Sequence, residues 1–124
     1  MKRARKSPVG LSWSDVLSLV ADLPGVEAST SYGTPAIKVK GILLARLREG
    51  GETIVVRTPF VVRDYVLRKA PRVFFLEEHY RNYPTVLVRL AAVTGPQLRE
   101  LIEDAWRAAA PKRLVAEYTQ RGAG

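Results

Sequence analysis

Residues 36 to 57, AIKVKGILLARLREGGETIVVR, place the tightest constraint on the fold. Apolar and charged residues alternate there with a period of two, interrupted at Gly41 and at Gly50-Gly51. That period sends successive side chains to opposite faces, so the stretch reads as three half-buried strands joined by tight turns. Tight turns make neighbouring strands antiparallel. The register follows from the faces. Ile37 and Val39 share one face, with Lys38 on the other; Leu43, Ala45 and Leu47 share one, with Leu44, Arg46 and Arg48 on the other. Opposed residues of a hairpin point the same way. The apolar faces therefore coincide when Val39 pairs with Leu43, leaving the three-residue loop Lys40-Gly41-Ile42. A two-residue loop would set Lys38 beside Leu43 and turn Arg46 onto the Ile37 face. In the third strand, residues 53 to 57, Ile54 and Val56 face inward, and Thr53, Val55 and Arg57 outward.

Helices frame these strands. Ser12 is placed to cap a helix over residues 13 to 22, whose Trp13, Val16, Leu17 and Val20 form one apolar stripe before Pro24-Gly25 ends it. FVVRDYVLRKAP suits a second helix that stops before Pro71, and residues 73 to 76 a short extended piece. TVLVRL, after Pro84, is a strand with Val86, Val88 and Leu90 on one face. Thr94 and Gln97 have capping-box spacing and Pro96 suits a first turn, so a long helix follows, burying Leu98, Leu101, Ile102, Ala105 and Trp106. Pro111 ends it, and KRLVAEY is a short terminal helix or strand. The fold class is α+β, a mostly antiparallel sheet with helices packed on one face.

With no cysteine and one histidine, the 124-residue chain excludes disulfides, cysteine-ligated metals, thiol catalysis and any site with two histidine ligands from one chain. No apolar run approaches about 18 residues, so no membrane span is expected, and a cytoplasmic protein is the default. The net charge is +8, but Lys2, Arg3, Arg5 and Lys6 lie in the first ten residues. Residues 1–10 thus read as a basic flexible arm, and residues 11–124 as a single domain.

The phrases SYGTPAIKVKG, HYRNYPTVLVRLAAV and LRELIEDAWRAAAPKRLVAEY, with an opening W…LPGVE…S, occur in order over residues 12 to 118. Together they resemble the MmcQ/YjbR family. The resemblance implies a compact antiparallel α+β domain, similar in layout to the frataxin-like fold, in a family usually labelled DNA-binding. This sequence departs from the better-known branch, in which a His-Trp pair leads almost directly into the strand. Here His79-Tyr80 is followed by Arg81-Asn82-Tyr83-Pro84.

For chemistry, the chain carries no nucleophile elbow, no phosphate-binding P-loop and no dinucleotide fingerprint. Glu77 and Glu78 are adjacent, so in an extended segment they point apart and make a poor acid–base pair. His79 reads as a structural or rim residue. No enzymatic activity, cofactor or metal is expected. The registers place Lys38, Arg46, Arg48, Arg57 and Arg89 on the sheet face opposite the core, with Leu44, Val55 and Leu87, and Lys40 at the hairpin tip. Such a face can follow a phosphate backbone, with Tyr80, Arg81 and Tyr83 at its edge and the two tyrosines able to stack on bases. The leading expectation is DNA binding with little sequence specificity; the sequence does not fix the oligomeric state, though it favours a monomer slightly. The alternative is a protein-interaction or small-ligand module: Leu44, Val55 and Leu87 as an apolar partner site, or Ser29, Ser31, Tyr32 and Thr34 around a small anion. The bland reading of the same face is a solvated surface on which arginine stems cover apolar neighbours.

Overall fold

The computed structural model describes residues 10–123. The basic arm read from the sequence lies outside the described residues, apart from Gly10. Helix α1 (Trp13–Val20) leads into strands β1 (Val26–Ser31), β2 (Thr34–Val39), β3 (Ile42–Leu47) and β4 (Thr53–Arg57). Helix α2 (Phe60–Lys69), the two-residue strand β5 (Phe74–Phe75) and a 3-10 turn (Glu78–Tyr80) follow. Strand β6 (Thr85–Arg89) and helices α3 (Gly95–Ala109) and α4 (Lys112–Ala123) complete the chain. The six strands form one antiparallel sheet in the order β1-β2-β3-β4-β6-β5. The chain leaves β4 through α2, pairs the far edge as β5, and returns to insert β6 between them.

Both expected helix caps form. Ser12 and Asp15 exchange backbone and side-chain bonds in a capping box at α1, and Thr94 and Gln97 do the same at α3. The α3 stripe Leu98, Leu101, Ile102, Ala105 and Trp106 is buried, its leucine and isoleucine side chains each contributing about 1.5–3 kcal/mol of transfer free energy. It packs over Ile37, Val39, Ala45, Ile54, Val56, Val86 and Val88 from the sheet and Val16 and Val20 from α1. A carboxylate at Leu98 would break this layer, because a charge there has no partner. Trp106 donates its indole N–H to the Pro24 carbonyl (2.8 Å) and meets Tyr118 of α4 edge-on. Arg99 ties three helices together. It bonds the Leu19 carbonyl, both oxygens of Asp22, Glu103 and the Tyr118 hydroxyl.

The hairpin between β2 and β3 corrects the expected register. Val39 pairs with Ile42, so the loop is the two residues Lys40-Gly41, and Lys38 does sit beside Leu43. The pairing then shifts by one residue, and Ile37 opposes Ala45 as expected. The extra residue is Leu44, a β-bulge in the strand instead of a third loop residue. Positive φ at both Lys40 (50°) and Gly41 (83°) is the geometry of a two-residue hairpin turn, and Tyr32 (54°) and Gly33 (79°) repeat it between β1 and β2. The bulge exchanges two side chains: Leu44 joins the main core, while Leu43 takes the outer face. From Ala45 onward the expected faces hold.

Candidate nucleic-acid interface

The outer face of the sheet is built on one cross-strand row. Ala36, Arg46, Val55, Leu87 and Phe75 oppose one another across β2, β3, β4, β6 and β5. Ala36, Val55 and Leu87 are buried. The expected open apolar patch of Leu44, Val55 and Leu87 is therefore absent from the solvent surface. The segment 77–84 rises beside this row and makes the face concave. The result is a cleft of about 840 Å³ with Leu43, Val55 and Pro84 among its apolar lining, Arg46 and Arg57 on its wall, and Tyr32, His79, Tyr80 and Tyr83 around it.

The basic residues meet different fates. Arg46 donates to the hydroxyls of Thr34 and Tyr80 (3.3 Å each) and lies over the Tyr32 ring. Arg57 spends its Nε on the Leu43 carbonyl (2.9 Å). Neither has a carboxylate partner among the described residues. Lys38 is half-buried and Lys40 exposed at the hairpin tip, and neither forms an ion pair among the described residues. Arg48 is engaged by Glu77 at 3.0 Å, and that hydrogen bond raises its pKa further. Arg89 stacks on Phe75 (4.1 Å) and reaches the Pro71 and Arg72 carbonyls. Arg81 clamps Glu78 through its Nε and Nη2 and holds that carboxyl below the usual range. The face thus gathers Arg46, Arg57, Tyr80 and Tyr83 at the cleft, while Arg48, Arg81 and Arg89 are tied to acidic, carbonyl or aromatic neighbours.

Three residues with roles here carried no clear sequence signal. Arg63 of α2 is buried and donates to the Arg81 (2.8 Å) and Tyr83 (3.1 Å) carbonyls, fixing the segment that walls the cleft. An arginine on the buried side of a weakly amphipathic helix was the only hint. Thr85 opposes Arg57 and lines the cleft, and its hydroxyl is buried with no hydrogen-bond partner among the described residues. Leu43 was hidden by the bulge. The Ser29–Thr34 cluster behaves mainly as a turn: the Thr34 hydroxyl bonds the Ser31 carbonyl, and of this group only Tyr32 reaches the cleft. His79 is exposed, edge-on to Tyr80 at 4.9 Å.

A six-stranded antiparallel sheet, helices packed on one face and an aromatic, arginine-bearing cleft on the other define an α+β domain with a single open sheet face. The chain belongs to the YjbR family, whose model matches residues 21–108. It is similar to uncharacterized proteins of Mycobacterium bovis and of two strains of Mycobacterium tuberculosis, at 42% identity over 57 residues. That stretch is 46% of this chain and 44% of each relative, so the chain matches less than half the length of these curated relatives. The crystal structure of Deinococcus radiodurans protein DR2400, with its DUF419 domain, superposes with a TM-score of 0.67 at 17% identity. It covers 83% of this chain and 80% of that one, a likeness of fold. Among the described residues no helix is long and apolar enough to cross a membrane.

Proposed function

We propose that this YjbR-family domain binds DNA, with little sequence specificity and without catalysis, through the cleft-bearing sheet face. The observation that supports this is the state of Arg46 and Arg57: two guanidinium groups on one face, beside four aromatic or imidazole rings, neither of them ion-paired among the described residues, although Glu49 also lines the cleft. Phosphate contacts position a nucleic acid whatever its sequence, and exposed rings accept any base.

Because Glu77 occupies Arg48, four sheet-face cations remain for phosphate: Lys38, Arg46, Arg57 and Arg89. The slope of log K against log salt should then be about −3.6 on duplex DNA and about −2.8 on a single strand. Fluorescence anisotropy with both DNA forms across a salt series measures it, using the full chain and a variant lacking residues 1–9. Binding that survives the deletion with these slopes supports the sheet face. Binding that disappears with residues 1–9, or no binding by either protein at low salt, refutes it. A small-ligand module is the second reading, and the concave shape of the cleft is what favours it.

A further inference from the structure

We infer that the cleft seats a single nucleotide unit, an aromatic base carrying a phosphate, supplied either as a free nucleotide or as an unstacked nucleotide of a single strand. The second source rests on the nucleic-acid reading above.

The volume of about 840 Å³ lies within the span of small-molecule sites and leaves room for one such unit. The lining separates into matching parts. Leu43, Val55 and Pro84 offer an apolar bed that a hydrated inorganic ion would not use. Tyr32 and Tyr83 are 83% and 56% exposed, so each leaves much of its ring outside the fold, free to stack on a base. Arg46 opposes Val55, two residues from Arg57 on the same face, which makes the two arginines diagonal neighbours about 7–8 Å apart, and somewhat closer at Cβ. That spacing lets two guanidinium groups converge on one phosphate. Arg46 hydrogen-bonds only hydroxyls, both at 3.3 Å, while lying over one face of the Tyr32 ring, and Arg57 commits only its Nε.

Thr85 supplies an independent observation. Its hydroxyl is buried without a partner beside Arg57, a costly state for a group that a valine would replace with the same shape. A turn about the Thr85 Cα–Cβ bond would present that hydroxyl to a ligand atom in the cleft as its missing partner. Glu49, the acidic residue of the lining, can accept from the amino group of a base. This makes deoxycytidine monophosphate (dCMP) the suitable probe.

Calorimetric titration of the full chain with dCMP, with inorganic phosphate and with a short deoxycytidine oligomer tests the inference. Saturable dCMP binding is expected, with phosphate alone much weaker. Tyr83→Ala should weaken dCMP about five- to hundredfold. Thr85→Val should weaken it about two- to tenfold while leaving the free protein at least as stable. Binding of the oligomer with the same sensitivities identifies the strand as a source. Binding of dCMP with no affinity for any DNA identifies the free nucleotide, and refutes the nucleic-acid reading instead. No saturable dCMP binding, or wild-type dCMP affinity in both variants, overturns the inference. DNA binding that persists in that case leaves the phosphate-tracking face standing.

Discussion

Replacing Arg63 tests what holds the cleft open. Its guanidinium is buried, lies over the Phe60 ring at 4.7 Å, and donates to the Arg81 and Tyr83 carbonyls at 2.8 and 3.1 Å. A hydrogen bond from a charged donor contributes about 1.5–3 kcal/mol. Both acceptors belong to exposed residues, so water can replace part of the loss and the lower figure applies to each. The contact with half-exposed Phe60 adds about 0.5 kcal/mol. The ion pair with adjacent, exposed Asp64 adds little. Arg63→Ala should therefore cost about 3.5 kcal/mol, and Arg63→Lys, which keeps the charge but loses the fork, about half of that. Urea unfolding followed by tryptophan fluorescence reads both. Hydrogen exchange adds a local test, since the Thr58 amide bonds the Pro84 carbonyl at the end of the held segment. Its protection should fall further than that of the Val56 or Val88 amides. A loss below about 1 kcal/mol for Arg63→Ala, or unchanged Thr58 exchange, would refute the pinning role.

Three further substitutions probe the frame. Gly10 has φ +97°, and a Cβ there would run into the Leu90 carbonyl beside the Leu11–Leu90 backbone bond, so Gly10→Ala should lose about 2 kcal/mol or more by thermal melting. Gly33→Ala, also at positive φ but in open space, should lose only about 1 kcal/mol, and equal losses would contradict the steric account. Arg99 holds the Asp22 carboxyl below its ordinary range, chiefly through their hydrogen bond. A depressed carboxyl pKa stabilises the fold above the unfolded value of about 3.9 and loses that contribution as pH falls through the folded value. Asp22→Asn should thus be less stable than wild type at pH 7 by about half a kcal/mol, since the carboxylate is largely exposed, and the two should converge in strong acid. A gap that stays constant down to pH 2 would rule this linkage out.

How far the sequence could be read depended on the range of the interactions. The α3 stripe, its capping box and the Ser12 cap of α1 were legible because they arise from residues three or four apart. The faces of β4 and β6 were legible because a period of two has a single solution when one side is buried. The β2–β3 loop was misread because an extra residue satisfies the register equally well in the loop or in the strand. The turn chemistry of Lys40-Gly41, with two positive φ angles, decides it. The basic face was legible as a set of residues, but not as a cleft. Its concavity comes from Arg63 reaching 18 and 20 residues along the chain, and its electrostatics from Glu77 reaching back 29 residues to Arg48. No local pattern encodes such pairings.

The surplus residue in β3 also bears on how members of the family should be compared. Upstream of Leu44 the hairpin counts as a regular two-residue turn, and downstream it counts as if one residue longer. A relative lacking that residue would keep Ala45, Arg46 and Leu47 on their present faces only if its gap is set at position 44. A gap set at the Lys40-Gly41 turn would misplace Ile42 and Leu43 against their true counterparts. The relative's counterpart of cleft-lining Leu43 would then be compared with core Leu44, and substitutions that tune the cleft would pass for changes of packing.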